Sequence, residues 1–152
     1  MREKYRKAVF VLAYAKTDKK IEYLLLKRKL HWKGWEFCKG KIEPKEKKSE
    51  TARRELFEET GLKPLKGGLM RFNFSGKYNY KKSLPDRPKL IGQTFLLYAA
   101  EVKKNKVKLD KKEHSSHKWT TFSQALKMLT WSNQKKSLKI VNKFLKEKPH
   151  KT

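Results

Sequence analysis

The chain has little of what soft metal centres and disulfide frameworks are made from: one cysteine, Cys38, and four histidines in 152 residues. A single thiol excludes an intrachain disulfide, and with it the stapled scaffold of small exported domains. Acid is scarce too, with 15 Asp and Glu against 41 Lys and Arg and a net charge of +26. That balance excludes an acidic cation buffer and favours polyanionic ligands. Long apolar runs are missing: the longest, Ala8 to Ala15, has eight residues, where a membrane span needs about 20. No membrane partner is expected, and a cytoplasmic location is. No linker or internal repeat interrupts the chain.

What remains is enough for one core. With 37% hydrophobic residues, residues 1–152 are expected to form a single domain. The basic start, Met1 to Lys7, the apolar run and Ala13-Tyr14-Ala15 imitate a secretory signal. Val9, Phe10, Val11 and Tyr14 instead favour a buried strand, with Thr17-Asp18-Lys19-Lys20 turning into a second strand, Ile21 to Lys27. Leu65 to Phe74, Leu90 to Glu101 and His117 to Phe122 also read as strands. Ser123 to Thr130 and Asn133 to Lys148 read as helices, the second with an apolar stripe of Leu138, Val141 and Leu145.

Seven of the twelve glutamates lie between Glu36 and Glu59. An acid cluster in so basic a chain calls for a cation, and grouped carboxylates suit a hard ion, Mg²⁺ or Mn²⁺. A helix is expected from about Glu50 to Thr60, capped by Ser49 and stopped by Gly61, with Pro64 beyond. On it, three- and four-residue offsets place Glu55, Glu58 and Glu59 on one face. Like charges so spaced repel, whereas a merely solubilising helix would carry lysines among them. Lys39 to Pro44 reads as a loop in which Gly40 permits close approach of backbone to a ligand. Cys38 reads as a small packed side chain.

The same stretch has a stricter pattern. Gly40, five residues, Glu46, seven residues, Arg54-Glu55-Leu56, one residue, Glu58-Glu59, one residue and Gly61-Leu62 fill every position of the Nudix box. The chain resembles the Nudix hydrolases, which cleave nucleoside diphosphates linked to another moiety. The resemblance implies an α/β (α+β) fold, a mixed β-sheet between α-helices, and a metal-dependent pyrophosphohydrolase. It implies a metal shell of Glu55, Glu58, Glu59 and the Gly40 carbonyl, with Arg54 orienting Glu55. The catalytic base is implied to be Glu58 or Glu113.

Outside the box, Trp35 to Pro44 is similar to the W-x-x-P-K-G-x-x-E-P segment of the asymmetrical diadenosine tetraphosphate hydrolases. Asn79-Tyr80, Arg87-Pro88-Lys89 and Glu113-His114 followed by Trp119 resemble further segments of that subfamily. These imply adenine stacking on Tyr80, alone or with His117, and phosphate contacts from Lys39 and Lys89. Cys38 in place of the usual proline, Lys45 in place of a glycine and His117 in place of a tyrosine depart from the pattern. The implied substrate is a dinucleoside polyphosphate, giving ATP and AMP. Two alternatives stay open: an RNA 5′-pyrophosphohydrolase of the decapping type, and an inactive, basic RNA-binding relative. The positive charge comes from 34 lysines and seven arginines spread end to end, which favours polyanions without choosing dinucleotide over RNA. No DNA partner is evident.

Overall fold

The eight-residue apolar run becomes the middle of a seven-stranded sheet, and the alternation of its side chains sets the layers on either side. The computed structural model describes residues 5–80, 84–87 and 89–147. Its first half holds β1 (Tyr5–Thr17), β2 (Lys20–Arg28), β3 (Gly34–Glu36), β4 (Cys38–Lys41) and α1 (Lys48–Thr60). β5 (Leu69–Asn79), β6 (Gly92–Glu101), β7 (His114–Thr120), α2 (Phe122–Met128) and α3 (Ser132–Glu147) follow.

β1 runs parallel to β6, from Tyr5 opposite Gly92 to Tyr14 opposite Glu101. Its other edge is divided. Tyr14–Thr17 pair antiparallel with β2, while Ala8–Val11 pair antiparallel with β4. β2 leaves β1 to pair with β3 and β7, and β5 completes the sheet beyond β6. Helical layers cover both faces of this central strand, so its sequence reads as a continuous apolar run. Phe10, Leu12 and Tyr14 join a core with Ala125 of α2 and Leu138, Val141 and Leu145 of α3. Val9, Val11 and Ala13 join the opposite core with Ala52 and Leu56 of α1. The expected mixed sheet between helices is the fold observed.

Local chemistry sets several boundaries. Asp18 and Lys19 both have positive φ, 43° and 68°, the geometry of a two-residue hairpin whose twist matches its strands. Thr121 caps α2, accepting from the Gln124 amide at 3.2 Å while Gln124 Oε1 accepts from the Thr121 amide at 3.0 Å.

Five expectations are corrected. Part of the expected Lys39–Pro44 loop is a strand, β4, because the free upper half of the β1 edge pairs with Cys38–Lys41. Ser49 lies inside the first turn of α1; the cap position is Lys47, whose amide donates to Glu50 Oε1 at 2.8 Å. β5 starts at Leu69, after a turn in which the Gly68 amide donates to the Leu65 carbonyl at 2.7 Å, and runs on to Asn79. β7 begins at His114 and stops before the Thr121 cap. The strand expected from Leu90 begins at Gly92. Lys148, Pro88 and the Met1–Lys4 part of the basic start lie outside the described residues. Among the described residues, no helix is long and apolar enough to cross a membrane.

Phe10 tests the core. Its ring stacks on Phe95 at 4.2 Å and meets Phe37 edge-on at 5.5 Å, fully buried. Phe10→Ala is expected to lower unfolding stability by about 3–5 kcal/mol, read from urea denaturation; a loss below about 1 kcal/mol would contradict this packing.

Candidate functional site

α1 and β4 bring the acidic residues together. Gly61, at φ 74°, closes the helix by donating its amide to the Phe57 carbonyl at 2.8 Å; a left-handed turn suits glycine there. From the middle of the helix Arg54 ties it to the preceding loop. Its Nε donates to Glu46 Oε2 at 2.7 Å and its Nη2 to Glu46 Oε1 at 3.0 Å, a two-pronged pair, while Nη2 also reaches the Lys41 carbonyl at 2.9 Å. Nη1 donates to Glu55 at 2.8 Å and to Glu58 at 3.2 Å. One planar guanidinium thus holds three carboxylates and a backbone oxygen, which a lysine could not do. The Arg54 hydrogen bonds are the largest influence holding the Glu46 carboxyl down at about 2.

Glu55 lies against Gly40. A methyl group on Gly40 would collide with the Glu55 carboxylate, so glycine is required there for space. The helix face expected to carry three equivalent glutamates is divided by depth. Glu58 is about half exposed, Glu55 is mostly covered and Glu59 is buried. Burial raises the Glu55 carboxyl to about 7, with Arg54 opposing and Glu58 and Glu113 reinforcing. Glu59 is pushed up by burial and then by Glu36, Glu113 and Glu55. Neither Glu59 oxygen has a hydrogen-bond partner of normal geometry, although the Cys38 thiol is near enough to act on it. Cys38 itself is buried, as its packing role implied, and its thiol is raised by burial.

Behind these lies a buried network that the sequence did not disclose. Glu36, on β3, is fully buried. Its carboxylate takes Lys39 Nζ at 3.2 Å, Arg28 Nη1 at 3.3 Å and His114 Nε2 at 2.7 Å. Burial alone would raise this carboxyl, but Lys39, His114 and Arg28 bring it down to about 2. Lys39 is correspondingly raised, the attraction of Glu36 overcoming the opposing effect of burial. The signal available in the sequence was a charged residue, Glu36, between the aromatic Trp35 and Phe37, on a strand too short to show a period. Arg28 also reaches Glu113, at 3.7 Å. One ligand atom each from Glu59, Glu113 and His114 lies within 4.8 Å of the others.

Two cavities open beside this cluster. One, of about 570 Å³, is lined by Trp32, Trp131, Tyr78 and Tyr80 together with Lys39 and Arg87. Trp32 and Trp131 meet edge-to-face at 5.1 Å. Tyr80 meets Tyr78 and accepts a hydrogen bond from Arg87 Nη1 at 3.0 Å. The other cavity, about 680 Å³ and more open, is lined by Arg6, Lys41, Arg87, Lys112, His31 and Glu113, among others. His31 and Arg87 line both. Lys89 and His117 are exposed and line neither. The fold therefore brings Lys39 and Tyr80 to the aromatic cavity, with two tryptophans that sequence reasoning had not placed there.

The model of the NUDIX domain matches residues 4–140. The chain belongs to the Nudix family. It is a Nudix pyrophosphohydrolase, and its relatives point the same way. It is 30% identical over 130 residues to the asymmetrical bis(5′-nucleosyl)-tetraphosphatase of Mus musculus, covering 85% of this chain and 84% of that one. The C. elegans Ap4A hydrolase in a binary complex superimposes with a TM-score of 0.70 at 25% identity, over 93% of this chain and 98% of that one. The Nudix domain of Shewanella oneidensis NrtR, complexed with ADP ribose, matches at a TM-score of 0.75. At 17% identity, over 95% and 90% of the two chains, it shows the fold alone.

In this Nudix site the carboxyls divide into two groups by environment. Glu55 is raised to about 7 while Glu46 and Glu36 are held at about 2. For the metal-free protein the sign follows. Between about 4.5 and about 7 the folded state holds a proton on Glu55 that the unfolded chain has released, so stability falls as pH rises through that window. Relative to Glu55→Gln, wild type in chelator is expected to lose stability from pH 4.5 to 7, measured by urea denaturation at each pH. Parallel curves would overturn the assignment.

Proposed function

We propose that the protein, acting as one Nudix domain over residues 1–152, hydrolyses a dinucleoside polyphosphate, diadenosine tetraphosphate first among them, to ATP and AMP with Mg²⁺. The observation that carries this reading is the junction of the two cavities at His31 and Arg87. An aromatic chamber of about 570 Å³ suits a nucleobase, and a basic groove leading from it to Glu113 suits a phosphate chain.

The acidic residues fit a hard divalent ion. Glu59 keeps both oxygens buried and unbonded, and an ionised carboxylate in that setting needs a cation. Glu55, Glu58, Glu59 and the Gly40 carbonyl would hold it, with Mn²⁺ as a substitute. When bound, the ion neutralises phosphate charge and makes the phosphorus easier to attack. The chain's own residues do the rest. Arg54 fixes Glu55 and Glu58 in place. Arg6, Lys41, Arg87 and Lys112 draw the phosphates along the groove. Tyr80 and the tryptophans receive a base by stacking. Of the two carboxylates implied as base, Glu58 is drawn to Arg54, whereas Glu113 faces the groove with only a loose contact to Arg28. These contacts favour Glu113 over Glu58 as the residue that takes a proton from the attacking water.

Lys39, buried on Glu36, sits in the wall of the chamber and fixes its charge. Lys89 and His117 are left outside both cavities, so the base is held by Tyr80 without His117. The RNA 5′-end reading uses the same groove and remains the competitor, since scattered lysines serve a longer polyanion as well.

Product analysis across diadenosine tetraphosphate, ADP-ribose, nucleoside triphosphates and 5′-triphosphorylated RNA decides between them. The expected outcome is the highest kcat/KM for diadenosine tetraphosphate at physiological salt, with ATP and AMP as products. Preference for the RNA would replace the dinucleotide reading. Glu59→Gln is expected to lower kcat by orders of magnitude with the fold retained by circular dichroism. Tyr80→Ala is expected to raise KM by an amount equivalent to about 1–3 kcal/mol, and Tyr80→Phe to be mild; an unchanged KM in Tyr80→Ala would remove the stacking role.

A further inference from the structure

We propose that Glu59, Glu113 and His114 form a histidine-containing position for a softer divalent cation of the zinc type, with Nδ1 of His114 as the nitrogen ligand. The inference deepens the reading of the same site and rests on it for the location of the cavity. It shares Glu59 with the acid cluster, and its separate ground is His114. His114 is fully buried, and its Nδ1 has no hydrogen-bond partner. Glu59, also buried, has none on either oxygen. One ligand atom from each of these, a ring nitrogen in the case of His114, and one from Glu113 lie within 4.8 Å of each other, and the choice of Nδ1 follows from the partner of Nε2. Donors about 2.0–2.2 Å from a zinc ion stand roughly 3.5 Å apart, so a small closure suffices.

The tautomer of His114 follows from its partner. Glu36 carries Arg28 and Lys39 on the same carboxylate that His114 Nε2 meets at 2.7 Å. An ionised carboxylate only accepts, so Nε2 carries the proton and donates it to the bond. On a neutral ring the lone pair is then left on Nδ1. A carboxylate behind a histidine, fixing its ring and increasing its basicity, is the arrangement that supports metal-bound imidazoles. Imidazole favours zinc-type ions over Mg²⁺, which prefers oxygen and retains its waters. Three protein donors leave a position open to water or a phosphate oxygen. Glu113 serves as proton acceptor in the Mg²⁺ reading and as ligand here, so the two states are exclusive.

The test is calorimetric titration of the metal-free, full-length protein with Zn²⁺ and separately with Mg²⁺. Wild type is expected to bind one Zn²⁺; His114→Ala should weaken it at least tenfold and Glu36→Gln about 10–100-fold, with Mg²⁺ affinity changed less than threefold. Zn²⁺ affinity within twofold of wild type in His114→Ala would overturn the proposal. Because a variant at a buried histidine can fail to fold, the wild type is also read by imidazole ¹⁵N NMR. On adding Zn²⁺ the His114 Nδ1 resonance should move while Nε2 stays protonated. A still His114 resonance, or shifts confined to His31 or His117, would equally overturn it. Failure of the wild type to bind Zn²⁺, with its Mg²⁺-supported hydrolysis intact, defeats this inference alone. Intact zinc binding without hydrolysis of any dinucleotide defeats the substrate reading alone.

Discussion

Carboxylates of like charge brought into one poorly hydrated space are the constraint around which this molecule is arranged. Glu36, Glu55 and Glu113 each act on Glu59 to disfavour its charge, and burial disfavours it further. The chain answers at two places. At the outer one, Arg54 gathers Glu46, Glu55 and Glu58; at the inner one, Arg28 and Lys39 meet on Glu36. Glu59 is hydrogen-bonded to none of these cations. A buried ion pair contributes little net stability but is costly to break, so these pairs are better understood as fixing where charge stands.

The sheet makes that placement rigid. β1 is paired on one edge by β6 from Tyr5 to Tyr14, and on the other by β2 and β4 in turn. The handover from β2 to β4 sets Gly40 beside α1 at the spot where the Glu55 carboxylate requires an absent side chain. The two cores clamp the strand from both faces, so the acidic helix and the aromatic chamber are carried by one central element.

Much of this was legible in the sequence, for identifiable reasons. The β1 run, the β1–β2 turn and the α1 stop at Gly61 are local signals: apolar continuity, turn residues and a left-handed cap. The box glutamates were legible because their spacing is itself the chemistry. The failures have physical causes too. Lys39-Gly40-Lys41 has no strand preference, and β4 exists because an edge of β1 is free to pair. Cap assignment at Ser49 followed propensity, whereas the loop placed Lys47 there and let Glu50 satisfy its amide. Glu36, His114 and Arg28 are 78 and eight residues apart in their contacts, so no local pattern announces them. Trp32 and Trp131 meet for the same reason, from far apart in the sequence.

Arg87 deserves to be considered as a joint. It donates to the Tyr80 hydroxyl, its guanidinium lies 5.8 Å from the centre of that ring, and it forms part of the wall of both cavities. Under the proposed function, a ligand seated in one cavity touches a wall of the other, and its second half docks from a tether instead of from solution. Affinity for a molecule spanning both is therefore a chelate effect, set by the length of its bridge as much as by either end. On that reading the site measures its ligand as a ruler does, by the distance between two ends that must be engaged together.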